Sequence, residues 1–223
     1  MNKPFLIPTK KNTRTLIRQK LQSKRKTLTA NFQKKAAQAL LFTLKNDTSI
    51  KEAKHIALYL ANNGELDLQP FIQWCWQQNK QLYLPVVHPF AKGHLLFLSY
   101  LPNSTMVINR YNIKEPKLDV RAIIPVQQLD IILTPLVAFD STGARIGMGG
   151  GYYDRTLAKW YEHYLQGKSH QGKKDFQNKQ FPLSPIGIAH DCQQITKVPH
   201  EAWDIPLPKI ITPTRVIKVN TLK

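Results

Sequence analysis

Between Phe139 and Leu157 the chain reads FDSTGARIGMGGGYYDRTL, and these residue types suit a phosphate chain and a hard cation. Gly147, Gly149, Gly150 and Gly151 strip side chains from a turn between an apolar, strand-like run and an amphipathic, helix-like run. Backbone N–H groups in such a turn are free to close on an anion. Arg145 sets a fixed cation beside them. Asp154 opens the following helix, where a carboxylate suits the positive end of the dipole and can also hold a divalent ion. Together these groups describe a nucleotide-phosphate and magnesium site. The same residues admit a plainer reading, with a tight glycine turn, a capping aspartate and two half-buried tyrosines.

Other nucleotide signatures fail position by position. A dinucleotide fingerprint starting at Gly147 needs a glycine where Tyr152 stands, which disfavours hydride transfer. Gly167, Lys168 and Ser169 imitate the end of a P-loop, but Glu162 replaces the first glycine and no apolar strand precedes it. That GKS reads as a coincidence in a polar loop.

At 223 residues and 42% hydrophobic, the chain is long enough to bury a full core as one domain. A net charge of +18 and a pI near 10.0 make a basic nucleic-acid-binding module the first rival reading. The basic residues are spread along the chain, however, with no zinc-finger, RNP or KH signature, so specific nucleic-acid binding is not expected. Cys75 and Cys192 lie far apart and outside any CxxC, which indicates neither a disulfide scaffold nor a zinc site and fits a reducing cytoplasm. The N-terminus lacks a signal-peptide pattern, and no run of about 18 apolar residues offers a membrane span. A cytoplasmic monomer acting on small molecules is the expectation. His55, His88, His94 and His190 are scattered without metal-ligand spacing. Trp74 and Trp76, flanking Cys75, read as core and boundary aromatics rather than as a base-stacking platform.

The elements that must position the glycine turn are legible from periodicity. Leu16, Ile17, Leu21 and Leu28 suggest one N-terminal helix, and Thr29 caps a second through Ala36, Leu40, Leu41 and Leu44. This opening is strongly basic, with fourteen Lys or Arg in residues 1–55 against Asp47 and Glu52. HIALYL reads as a buried strand, LDLQPFIQWCWQQN as a helix and QLYLPVV as a second strand, a βαβ-like unit. Further apolar runs at LLFLSY, DIILTPLVAF, PIGIAHD and KIITP imply more strands, and YYDRTLAKWYEHYL supplies a helix. The alternation predicts an α/β fold: a three-layer, mostly parallel Rossmann-like sheet with a basic N-terminal helical segment. Ligands in such sheets sit beyond the carboxyl ends of strands, where both the NNGELD turn and the glycine loop would fall. Residues 166–180 form a polar basic stretch expected as a surface loop.

From Arg14 to Pro213 these pieces resemble the 5-formyltetrahydrofolate cyclo-ligase family, also called 5,10-methenyltetrahydrofolate synthetases. They arrive in family order: TRTLIRQKLQSKR, YLANNGELD, YLPVV, YNIKEP, LTPLVAFDSTGARIGMGGGYYDRTL, IGIAHDCQQITKVP and WDIPLPKIIT. The resemblance implies an enzyme that uses ATP and Mg2+ to convert 5-formyltetrahydrofolate to 5,10-methenyltetrahydrofolate, releasing ADP and phosphate through a phosphorylated formyl intermediate. Such a protein must mainly align phosphate with acceptor and neutralise charge. An ATP-dependent ligase acting on another N-formyl or carboxyl compound is a further alternative.

The resemblance also implies roles for individual residues. Arg14 and Arg18 look like the basic pair that contacts ATP; Arg14 replaces a frequent lysine, keeping the charge and adding a bidentate fork. Arg145 and the stretch Gly147, Met148, Gly149, Gly150, Gly151, Tyr152 and Tyr153 look like the phosphate loop, with Arg145, Tyr152 and Asp154 as the catalytic set. Asp154 resembles a magnesium ligand and Asp204 a second acidic group near the metal, though an aspartate before Pro206 also suits a turn. Glu65 resembles the folate-contacting glutamate and Leu60 a wall of the same pocket, with Tyr152 and Tyr153 holding a folate ring. Gln193 is expected to give a supporting hydrogen bond. Asn112 stands where a glycine is frequent. A preference for polyglutamylated folate is a reasonable hypothesis from the excess of Lys and Arg.

Overall fold

A computed structural model describes residues 10–169, 183–219 and 222. The chain opens with helices α1 (Lys10–Lys26), α2 (Ala30–Asn46) and α3 (Thr48–Glu52). Thr29 caps α2 as its sequence position predicts, its side chain accepting from the Phe32 amide at 3.2 Å. Strand β1 (His55–Ala57), helix α4 (Gln69–Gln77) and strand β2 (Gln81–Val87) then form the βαβ unit. Strand β3 (Leu95–Ser99) follows, then a ribbon of β4 (Met106–Ile108) and β5 (Lys114–Pro116). Strands β6 (Ile123–Ile124) and β7 (Ile131–Pro135) lead to a hairpin of β8 (Ala138–Phe139) and β9 (Arg145–Ile146). After the glycine loop come α5 (Tyr152–Ser169), β10 (Ser184–Ile188), β11 (Lys209–Ile211) and β12 (Val216–Lys218).

Eight strands form one sheet in the order β12-β11-β10-β7-β1-β2-β3-β6. The five central strands from β11 to β2 run parallel, as expected, while β12 pairs antiparallel with β11 on one side and, on the other, β3 pairs antiparallel with β2 and β6 antiparallel with β3. Side chains alternate strictly between faces. Ile56, Leu82, Ile131, Leu133 and Ile211 join Leu40, Leu44, Phe71 and Cys75 on the face covered by α2 and α4. Ala57, Tyr83, Ile132 and Ile210 join Leu157 and Trp160 on the face covered by α5. Each of these fully buried Leu, Ile or Phe side chains contributes about 1.5–3 kcal/mol through burial, which is what holds the three layers together.

Helix α1 lies outside this sandwich. Its Ile17 and Leu21 pack on Val137, Ala138, Ile146 and Val198, the hairpin beyond β7, while Leu16 is exposed. Asp140 builds that hairpin from inside, accepting from Thr142 and, at 2.8 Å, from the Val198 amide.

Two local expectations change, and a third observation is explained. The predicted six-residue strand HIALYL pairs as a strand only over β1, then continues extended along β2, with the Leu58 amide donating to the Tyr83 carbonyl. Helix α5 runs through Ser169, so residues 166–169 and the GKS are helical rather than loop; residues 170–180 lie outside the described residues. Asn112 adopts φ 58°, which explains why a glycine serves at this turn and why asparagine can replace it. Cys75 and Cys192 are free thiols. Among the described residues no helix is long and apolar enough to cross a membrane, and no group of three or more His, Cys, Asp or Glu is arranged to hold a metal.

Candidate active site

The chain winds outward from β1 to β2 on one side, then from β7 to β10 and β11 on the other, so the sheet reverses between β1 and β7. Crevices form at such a switch point, beyond the carboxyl ends of the strands. A cleft of about 970 Å³ opens here, and Leu60, Thr134 and Pro135 at the ends of these strands line it. Arg14, Arg18, Glu65, Arg145, Gly147 to Asp154 and Asp204 also line it, so every site residue expected from sequence shares one cavity.

Three segments distant in sequence build its basic side. Arg145, on β9, is only 5% exposed; its guanidinium donates to Asp154 Oδ1 at 2.8 Å and to the Ile205 carbonyl. Burial lowers the Arg145 pKa, and the Asp154 carboxylate opposes that shift. Asp154 Oδ1 also accepts from the Ile205 amide at 3.2 Å. Among the described residues its hydrogen bonds all fall on that one oxygen, which leaves Oδ2 as the atom a cation could take.

Asp204 behaves differently. Arg14 grips it with both terminal nitrogens, Nη2 to Oδ1 at 3.0 Å and Nη1 to Oδ2, and the Glu201 amide donates to Oδ2 at 2.8 Å. Burial pushes the Asp204 carboxyl up, but the Arg14 hydrogen bond and the Glu201 amide outweigh it and hold it below the usual carboxylate range. The same contact, acting against burial, raises Arg14. A cation reaching Asp204 must therefore displace Arg14.

The glycine loop hangs from α1. Arg18 Nε donates to the Gly147 carbonyl at 2.8 Å, and Gln22 Nε2 approaches Met148 Sδ at 3.1 Å. Gly149 and Gly151 take φ of 106° and 66°, a region that side-chain-bearing residues rarely adopt, so the bend requires glycine.

On the opposite half, Glu65 closes its own turn, with Oε2 accepting from the Asn62 amide at 3.1 Å. Burial raises its pKa, and Arg25 and that amide oppose the rise. Tyr153 is pushed up too, first by burial and then by Glu65, so its phenol stays neutral. Tyr152 is more open and meets Tyr111 hydroxyl to hydroxyl at 2.6 Å, with Arg110 Nη2 at 3.2 Å. Gln193 bonds inward to the Leu136 and Val137 carbonyls and the His190 amide, a supporting role at the rear of the site.

A model of the 5-formyltetrahydrofolate cyclo-ligase family matches residues 10–213. The chain belongs to that family. It is 44% identical over 196 residues to the 5-formyltetrahydrofolate cyclo-ligase of Escherichia coli strain K12, covering 88% of this chain and 98% of that one. Against the cyclo-ligase of Haemophilus influenzae it is 45% identical over 194 residues, covering 87% and 94%. The solution structure of Aquifex aeolicus 5,10-methenyltetrahydrofolate synthetase superposes with a TM-score of 0.73 at 26% identity, covering 94% of each chain.

Sequence reasoning alone left part of this family member's cleft unassigned. Tyr111, Ile113 and Glu115 from the β4–β5 ribbon line it, as does Trp203, 70% exposed on its rim. YNIKEP and WDIP contain these residues, but nothing in their spacing says that the ribbon folds over the glycine loop. Thr134 lies at the wall, its buried hydroxyl without a partner among the described residues. On the ATP role that the family resemblance implies for Arg14, Arg14→Ala is expected to raise the KM for ATP by about tenfold or more, while the KM for folate changes little. Steady-state kinetics with each substrate varied in turn checks it, and an unchanged ATP KM removes Arg14 from the nucleotide site.

Proposed function

We propose that this chain closes 5-formyltetrahydrofolate to 5,10-methenyltetrahydrofolate using ATP, with release of ADP and phosphate and with Mg2+ bound at the glycine loop. The observation that carries this reading is the convergence of Arg14, Arg18, the 147–151 loop and Asp154 with Leu60, Glu65 and Tyr153 in one cleft. Its volume, about 970 Å³, is at the upper end for ligand pockets, as a site for two substrates requires.

The N-formyl oxygen is a poor leaving group as it stands. Its attack on the γ-phosphorus of ATP expels ADP and converts it to a phosphate ester. N10 then attacks the activated carbon and gives up its proton to solvent or to the leaving phosphate, and the C–O bond breaks as phosphate departs and the ring closes. The work left to the protein is alignment and charge neutralisation.

Arg145, already fixed by Asp154 and the Ile205 carbonyl, supplies a preorganised cation beside the loop. Arg14 and Arg18 approach the triphosphate from α1, and Arg14 exchanges Asp204 for phosphate oxygens. Mg2+ takes few protein carboxylates and completes its shell with phosphates and water, so the single spare oxygen of Asp154 fits it, and it would screen the triphosphate charge. Asp204 would be free to help hold the cation only once Arg14 had left it. Glu65 accepts from the donor-rich pterin edge, and Tyr152 and Tyr153 hold the ring against the γ-phosphate.

The relatives lend no support to a nucleic-acid-binding module or to another acceptor. Mixing the protein with ATP, Mg2+ and 5-formyltetrahydrofolate should give an ATP-dependent rise in methenyl-folate absorbance, with one ADP per product. ADP without methenyl product would defeat the assignment of the acceptor.

A further inference from the structure

Arg25 has no exposed surface, yet among the described residues its guanidinium makes one hydrogen bond, from Nη1 to the Leu136 carbonyl at 3.1 Å. Nε and Nη2 have no partner among the described residues. A buried cation so sparsely bonded is a net cost to folding, and an apolar side chain of similar size would fill the space more favourably. Glu65 Oε1 lies 4.0 Å from Nη1, outside hydrogen-bond range but close enough for strong attraction in a dry interior. The turn carrying Glu65 rests on the same part of α1: an added Cβ at Gly64 would come within 3.0 Å of the Arg25 carbonyl oxygen.

Arg14, Arg18 and Arg25 fall at i, i+4 and i+11, within about 40° of one another around a helix of 100° per residue. One stripe of α1 therefore reaches Asp204, the Gly147 carbonyl and the Glu65 turn in succession. We propose that Arg25 is a positioning residue, holding the Glu65 carboxylate ionised at the cleft wall and tying that turn to the helix that carries Arg14 and Arg18. The proposal rests on Glu65 being the group that receives the folate.

The surroundings of Glu65 leave that task to Arg25. Tyr59, following β1, and Tyr153, from α5, face it with phenols that burial keeps neutral. Asp67 lies near Tyr59 and His190 near Arg25, and burial lowers the His190 pKa, favouring its neutral form. Arg25 and the Asn62 amide are what oppose the burial that favours the protonated acid. Losing Arg25 raises the Glu65 pKa further. At a given pH less carboxylate is then present to accept from the folate, and the acid limb of kcat/KM for folate moves to higher pH.

Arg25→Met tests this in the full-length protein. The KM for folate is expected to rise about tenfold or more, with the KM for ATP within about twofold of the parent and the acid limb displaced upward. Arg25→Lys, which keeps the charge, is expected to return the acid limb toward its parental position. Equal shifts in both KM values, or a raised folate KM with an unmoved acid limb, would show a purely structural role and overturn the proposal. Should Arg25→Met fail to fold, Arg25→Gln, which removes the charge but keeps a polar side chain, takes its place: an acid limb moved upward with a rise confined to the folate KM supports positioning, while an unmoved limb or a joint change in both KM values rejects it. Titration of the Glu65 carboxyl by NMR, in parent and variant without substrate, separates this from the functional reading. An unmoved titration sinks the role of Arg25, whereas a parent protein that makes no methenyl product sinks the assignment of the reaction.

Discussion

Asp154→Asn is expected to lower turnover by about 10²–10³-fold while leaving the folded protein largely intact. Asparagine still offers an oxygen to Arg145 Nη2 and to the Ile205 amide, so the local hydrogen bonds survive. The charge that would hold a cation beside the triphosphate does not. Arg145→Ala is expected to cost as much in turnover and also to lower stability by about 3–5 kcal/mol, because Arg145 is buried and its loss strands the Ile205 carbonyl and the Asp154 carboxylate. Burial of the guanidinium makes Arg145 the costlier of the two for folding. Turnover at saturating substrates, set beside denaturant midpoints, separates the two effects. Near-parental turnover in Asp154→Asn removes this carboxylate from the chemistry.

Gly149→Ala is expected to raise the KM for ATP by about tenfold or more and to destabilise the protein by about 1–3 kcal/mol. The space is adequate, since the nearest atoms to an added Cβ belong to the Arg18 guanidinium at 3.7–3.8 Å. The backbone is what objects: φ of 106° is strained for any residue with a side chain, and relaxing it moves the loop away from Arg18 and Arg145. Gly147 provides the control. An added Cβ there meets nothing within 4 Å and its φ is not positive, so Gly147→Ala should keep parental stability. Any loss of ATP affinity in that variant reports contact with the ligand itself. Parental affinity and stability in Gly149→Ala would mean that the bend is not rigid enough to shape a phosphate site.

Much of this arrangement is written locally. The Thr29 cap, the helical apolar spacing of α2, the continuous apolar runs of β1, β2 and β7 and the glycine bend ahead of α5 depend on neighbours within a few residues. Spacing and backbone sterics fix these features before any long-range contact forms. Family order in the motifs adds which residues belong to a site, because it draws on relatives that share the fold.

Partnerships across the chain are another matter. Arg14 and Asp204 are separated by 190 positions, and nothing in WDIP announces that its carboxylate is occupied by an arginine rather than free for a metal. Arg25 reads in sequence as one more charge in a basic helix, yet it is sealed between the end of β7 and the Glu65 turn. The antiparallel edge strands and the ribbon that brings Tyr111 to Tyr152 are equally invisible to periodicity. The amino-acid order by itself determined the elements, the phosphate-type loop and the family. Only tertiary packing decided which charges are buried, which are paired and which remain for a ligand, because those outcomes depend on distances set by the closing of the sheet and not on spacing along the chain.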